Sequence, residues 1–352
     1  MPAKACAKPM PSLVAVLCVF SLTILSSIWP ALAQDPHSSA RAFYAGKTIK
    51  FIVSTGAGGG FDAYTRMIAP LLEKELNATV VVQNMPGGGG LVSANHIYAA
   101  AGDPLQLIIL NGNSAALGQL VDDPSVRFDL PKFSILGLVT TSPWLWIASP
   151  KSKMQTIDDF LKPGAKPVWA GSGQMGGISD GAAVTCEALK MACNIVRGYT
   201  GSAQGALALA RGEADAMYVS DTSARNYVDT GGAKPVITVS DTRSRFFPDV
   251  PTVFEVLKLT DDQKWWFEFR AALDDLQRIL AMPPNVPAPQ LALMRDTLMK
   301  ILTDPAVIAE GEKTQRYIAF KDAATVEKMI GTVLGSITPE QKAKAREVIL
   351  RQ

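Results

Sequence analysis

The run Ile49-Lys50-Phe51-Ile52-Val53-Ser54-Thr55-Gly56-Ala57-Gly58-Gly59-Gly60-Phe61-Asp62 decides the fold class. A short apolar, partly β-branched segment stops at a glycine-rich turn, and a helical pattern starts directly behind it. Residues 50–54 read as a strand. Residues 62–76 read as a helix, because Tyr64, Met67, Ile68, Leu71 and Leu72 recur at helical spacing and mark one face for packing on a sheet. Pro70 lies inside that helix and conflicts with it locally, since proline removes a backbone donor and should kink the element. A strand at 79–83, the turn Asn84-Met85-Pro86-Gly87, a helix at 91–101 and a strand at 105–110 follow.

The middle of the chain repeats the theme: strand 167–170, loop 171–177, helix 179–192, strand 194–199, helix 205–211 and strand 214–219. Past Pro248-Asp249-Val250-Pro251-Thr252 the pattern turns helical, with a proline-punctuated linker at 283–289 before a helix at 291–303. Such alternation predicts an α/β protein with mostly parallel sheets. It suits two Rossmann-like lobes joined by crossover strands. Residues 34–143 and 240–352 would form the first lobe and its C-terminal helices, and residues 144–239 a second lobe inserted into it.

Three glycine-rich turns each follow a strand and open a helix: Gly56-Ala57-Gly58-Gly59-Gly60 before Asp62, Gly171-Ser172-Gly173-Gln174-Met175-Gly176-Gly177 before Ser179, and Gly198-Tyr199-Thr200-Gly201-Ser202 before Ala203. Glycine lets backbone approach a ligand closely, and the unpaired N–H groups of a helix start favour an anion. Any one of these turns can also be nothing more than a tight strand-to-helix connection. Three at equivalent places in two lobes favour a shared anion site at the carboxyl ends of the strands. The candidate ligand residues are Gly58, Gly59, Gly60, Phe61 and Asp62 from the first lobe, with Ser172, Gly173, Ser179, Gly201, Ser202 and Ala203 from the second. Asp62, Ser179 and Ser202 are also candidate helix caps.

Other chemistries lack their partners. Gly171-Ser172-Gly173-Gln174-Met175-Gly176 fits a dinucleotide fingerprint, but residues 194–198 contain no acid to hold a ribose. Gly177-Ile178-Ser179-Asp180-Gly181 has the spacing of a nucleophile elbow, yet the only histidines, His37 and His96, lie upstream of it. No Lys-Ser/Thr pair completes a phosphate loop at Gly56–Gly60, and no metal-ligand cluster is visible. The reading therefore has no catalytic residue, no metal and no cofactor. A secreted dinucleotide-dependent enzyme stays open as a minor alternative.

The first residues set the compartment. Lys4 and Lys8 precede an apolar run from Leu13 to Leu25, and Ala31-Leu32-Ala33 supplies an A-x-A site, the pattern of a cleaved signal peptide over 1–33. The run is shorter than the ~20 residues a membrane span needs, and the residues before Cys18 lack the small residue of a lipoprotein signal. Cleavage would leave about 319 residues, enough for about two domains. Without Lys4 and Lys8, the 34 Lys and Arg fall level with the 32 Asp and Glu, which gives no footprint for nucleic acid. The exported chain keeps Cys186 and Cys193. On one continuous helix they would stand ~10 Å apart, beyond disulfide reach, so a bridge requires the helix to end first; bridged and free are equally open.

The stretches Ile49-Lys50-Phe51-Ile52-Val53, Ala57-Gly58-Gly59-Gly60-Phe61-Asp62, Val80-Val81-Val82-Gln83-Asn84-Met85-Pro86-Gly87, Gly198-Tyr199-Thr200-Gly201 and Phe247-Pro248-Asp249-Val250-Pro251-Thr252 occur in the order of a known pattern. In them the chain resembles the substrate-binding component of tripartite tricarboxylate transporters, the Bug-type periplasmic receptors. The resemblance implies a type II periplasmic-binding-protein fold and a ligand carboxylate held by backbone amides and bridging waters at the first and third turns. It implies as partners a small carboxylate and the membrane permease subunits of such a transporter, with the receptor a periplasmic monomer. A receptor serving a two-component sensor is the alternative of the same class. The family often carries threonine where this chain has Phe61, and Lys264-Trp265-Trp266-Phe267 does not map onto its pattern.

Overall fold

The structure is a computed structural model, and it describes residues 1–3 and 37–350. The signal-peptide reading, with Cys6 and Cys18, lies outside the described residues.

Two mixed sheets organise the chain. The first holds β1 (Thr48–Val53), β2 (Thr79–Asn84), β3 (Gln106–Leu110) and β4 (Ser134–Leu138). The second is built from β5 (Trp144–Ala148), β6 (Val168–Ala170), β7 (Asn194–Val196), β8 (Ala216–Ser220) and β9 (Lys234–Val239). The chain then returns to the first sheet with β10 (Ile279–Met282) and β11 (Lys321–Asp322). The strand orders are β2-β1-β3-β10-β4-β11 and β7-β6-β8-β5-β9.

Each sheet has a parallel half, β2-β1-β3 in one and β7-β6-β8 in the other, where strand-to-helix units succeed one another. Antiparallel strands complete them: β10 runs against β3 and β4, and β5 against β8 and β9. The expectation of mostly parallel sheets is corrected to this mixed arrangement, because a chain that leaves one sheet for the other and returns must add strands of opposite sense. Strands β4, β5, β8 and β10 are buried along their whole length, as strands covered on both faces must be.

Several boundaries move. The first long helix runs Gly60–Leu76, two residues earlier than its apolar pattern, and buries Tyr64, Ile68 and Leu72 while Met67 and Leu71 are only partly covered. It continues through Pro70, which lies on the exposed side with Arg66, so water reaches the carbonyl that proline leaves unpaired. The third and fourth long helices start at Gly177 and Ser202, and the first of these stops at Ala188 rather than 192. With the helix ended, Cys186 and Cys193 come to a Cα separation of 6.2 Å and are joined by a disulfide. Residues 197–199 are not strand. The helices Gly112–Leu120 and Asp221–Asp229 and the strand β10 were absent from the sequence reading.

The crossing between the sheets positions the site. The outgoing segment 139–143 and the returning residues Gln277 and Arg278 run side by side, with Val139 N–H donating to Arg278 O (3.2 Å) and Gln277 Nε2 to Ser142 Oγ (3.0 Å). The stretch 264–267 falls in the helix Asp261–Asp274, which packs on Gly177–Ala188 and buries Trp266, Phe267 and Phe269. Trp266, Phe267 and Phe269 are therefore core, and Trp265 is half-buried against it.

Candidate functional site

Gly60, Gly177 and Ser202 are the first residues of three helices, and all three line one small cavity of about 40 Å³ between the sheets. These helices are 17, 12 and 10 residues long, so each presents unpaired N–H groups and the positive end of its dipole. An outer cavity of about 240 Å³ shares Thr55, Asn111 and Ser172 with the inner one and continues past Gly87–Gly90, Arg197 and Tyr199. A larger space of about 560 Å³ lies by the crossover and the Asp261–Asp274 helix. Asp241, Glu268, Asp274 and Asp275 outnumber Lys264 in its wall, and the glycine turns are not there, so its chemistry does not suit an anion.

The turns touch across the cleft. Gly56 N–H donates to Thr200 O (2.9 Å), and a Cβ placed on Gly58 or Gly59 would stand 3.8 Å from Ala203 Cβ or 3.2 Å from Ser202 Oγ. Gly89 (φ +70°) approaches the second turn so closely that a Cβ there would lie 2.3 Å from Gly176 N. Gly173, within the run that imitates a dinucleotide fingerprint, lets the two backbones meet, since a Cβ there would lie 2.8 Å from Gly89 N.

Of the expected residues, Gly60, Phe61, Ser172, Gly201 and Ser202 line the inner cavity, and Ser172 and Gly173 the outer one. Gly58, Gly59 and Ala203 form the contact between the turns instead of a cavity wall. Asp62 is not a cap, which is Gly59, and it lines neither cavity. Its carboxylate accepts Gly58 N–H (2.9 Å) and Arg66 Nε (3.0 Å). Arg66 also donates to Asn84 Oδ1 (3.1 Å), whose amide donates to Thr55 O (3.0 Å). Burial raises the Asp62 pKa, but the Arg66 guanidinium and the Gly58 amide outweigh it and hold it below the usual range. Asp62 and Asn84 therefore fix the shape of the first turn. As a cap, Ser179 is corrected likewise: it is the third residue of its helix, fully buried, with its hydroxyl against Gly171 and without a hydrogen-bond partner. Gly176 and Gly201 hold the cap positions. Ser202 offers its Oγ to the cavity and accepts the Tyr227 hydroxyl (2.9 Å). His96 is exposed on the helix Leu91–Ala99.

Several lining residues escaped the sequence. Asn111 donates to Gly89 O and Ser114 Oγ, each at 2.7 Å, and its Oδ1 has no partner. Trp144 Nε1 and Thr55 Oγ1 are likewise buried without partners. Another such residue is Arg278. Its side chain is buried, its backbone sits at φ +50°, and its Nη2 donates to Ser220 Oγ (3.0 Å) and Thr222 Oγ1 (3.1 Å). Nη1 donates to Gln277 Oε1 (2.5 Å), and Nε has no partner. Phe61 and Tyr64 flank the guanidinium, their ring centroids 5.4 and 4.9 Å from Cζ. Burial lowers the pKa of Arg278, and burial pushes the nearby Asp221 carboxyl up to about 6. An arginine carries no helix or strand period, so no sequence signal singled it out.

Among the described residues no group of His, Cys, Asp and Glu could hold a metal ion, and no helix is long and apolar enough to cross a membrane. Residues 64–324 match the family described as TctC, tripartite tricarboxylate transporter family receptor. A curated Agrobacterium vitis protein named for the TAR-I ttuE-ttuC' intergenic region is 27% identical over 285 residues, 80% of this chain and 76% of its own length. MatC from Rhodopseudomonas palustris, solved with bound malate, superposes with a TM-score of 0.65 at 22% identity, covering 86% of this chain and 99% of MatC. An R. palustris protein solved with adipate gives 0.70 at 15% identity, covering 85% and 97%. The likeness in structure extends over the fold, and the α/β architecture is that of periplasmic binding proteins of this type. The chain belongs to the tripartite tricarboxylate transporter receptor family.

Proposed function

We propose that this chain is a periplasmic receptor that closes two lobes on a small organic carboxylate and delivers it to the permease subunits of a tripartite tricarboxylate-type transporter, without catalysis. The lobes correspond to 34–143 with 240–352, and to 144–239. The leader 1–33 is removed on export, and the receptor works as a monomer. One observation carries this reading: the first residues of three helices line a single enclosed space whose other walls are apolar groups, hydroxyls, the Asn111 amide and the Arg278 guanidinium, with no Asp or Glu. Converging helix starts favour an anion, and an enclosed site between two sheets is what domain closure leaves. Relatives of the same fold, solved with malate and with adipate, agree in ligand class.

A thermal-shift screen of the exported form tests it. A dicarboxylate or related organic acid at about 100 times its Kd should stabilise the folded state by about 2.7 kcal/mol. A transition moved by a dinucleotide or a sugar phosphate and by no carboxylate would remove the assignment.

A further inference from the structure

The inner cavity holds a cation that no carboxylate of the described residues contacts. Arg278 is buried to within 1% of its surface, and no Asp or Glu among the described residues forms an ion pair with it. Its partners Ser220, Thr222 and Gln277 are neutral, and its Nε is left without one. An isolated buried charge is costly, and a fork of fixed donors matches a carboxylate. The nearby Asp221 acts on the guanidinium only through space and forms no ion pair with it: one of its oxygens accepts the Ser244 hydroxyl (2.7 Å), and its Oδ1 has no hydrogen-bond partner. Access to the guanidinium is built in: a Cβ on Gly60 would lie 2.9 Å from Nη2 and 2.6 Å from Ser223 Oγ, so the missing side chain is what opens this end. The φ of +50°, uncommon for a residue with a side chain, places the arginine at the crossover between the sheets.

Charge also limits what the rest of the ligand can carry. Neither the inner nor the outer cavity is lined by an Asp or Glu, whereas each is lined by an arginine, Arg278 in one and Arg197 in the other. An ammonium group drawn into this space would meet three positive helix ends and no carboxylate, and burying it unpaired is unfavourable.

We propose that Arg278 is the ligand's counter-ion, holding an ionised acid group at the Gly60 end, and that the solute is an organic acid without an ammonium group. The proposal rests on the carboxylate-receptor reading and narrows it to one class. A monocarboxylate satisfies Arg278 alone, and a dicarboxylate extends its second acid group into the outer cavity.

Calorimetric titration of wild-type, R278K and R278Q chains with matched acids tests it: malate against aspartate, adipate against α-aminoadipate, and a panel of other mono- and dicarboxylates. The expected result is an acid that binds the wild type about 100-fold more tightly than its amino counterpart and loses at least about 50-fold in R278Q, with R278K between them. R278Q binding the acid within about threefold of wild type, or a wild type that takes aspartate as readily as malate, overturns the proposal and leaves the receptor reading standing. A wild type that binds no organic acid overturns both. Should R278Q not fold, a crystal structure of the wild type with its tightest acid decides. An acid oxygen in hydrogen-bond contact with the guanidinium supports the proposal, and an acid group held elsewhere overturns it.

Discussion

Two buried arginines, Arg270 and Arg278, stand eight positions apart and have opposite surroundings. Arg270, on the Asp261–Asp274 helix, is saturated: its guanidinium pairs with Asp180 (2.5 Å) and with Asp274 through two donors. Tyr218 donates to Asp274 (2.5 Å), and Asn113 adds a further donor (3.3 Å). Elements of both sheets are thereby tied to one helix. Arg278 has hydroxyls, one amide and two aromatic faces around it, and no carboxylate. A buried cation that brings its own anions is a structural clamp, while one that lacks them is completed by something from outside. Burial is the same in both; the count of acids decides.

The largest effect that would sharpen this contrast is on stability. Arg270→Met leaves Asp180 and Asp274 buried without their cation and should cost about 3–5 kcal/mol in urea unfolding. Arg278→Gln breaks no ion pair, and its unfolding midpoint without ligand should stay much closer to that of the wild type. Equal losses in the two variants would dissolve the distinction.

Next in size is a ligand effect that spares stability. Gly60→Ala puts a methyl against the ends of the Arg278 and Ser223 side chains, which can shift aside. Affinity for the carboxylate should fall about tenfold, or ~1.4 kcal/mol, with little change in melting temperature. Unaltered affinity would move the acid group away from this end of the cavity.

A third effect is a pH slope at the clamp. Two carboxylates share one cation there, and burial raises the Asp180 pKa to about 7, against about 3.9 unfolded. A raised acid pKa means that the folded state holds the extra proton between those values, so stability contributed by this group declines as pH rises from about 4 to about 7. The slope is at most about 1.4 kcal/mol per pH unit, and Asp180→Asn should flatten it in pH-dependent unfolding. A slope that survives the substitution belongs to another group.

The glycine turns were legible because they are local. A strand, a turn and a helix start sit within about a dozen residues, and the apolar period marks each element. Gly60, Phe61, Ser172, Gly201 and Ser202 were found in that way, and they do line the cavity. Asp62 and Ser179 are the third residues of their helices and not caps, because both helices begin two residues earlier than their apolar pattern. Strand β10 was missed because four buried residues between a helix and a proline-rich linker have no alternation to read, and its partners β3 and β4 are far away in sequence.

From the sequence alone came the α/β alternation, the helix starts that favour an anion, and the family pattern. All of these arise from spacing along the chain. The tertiary structure decided which helix starts share a space, that Asp62 braces a turn, and that of two buried arginines only Arg278 lacks an acid. Desolvation and pairing are properties of the packed neighbourhood, and nothing in the residues next to an arginine reports how many carboxylates the fold will bring to it.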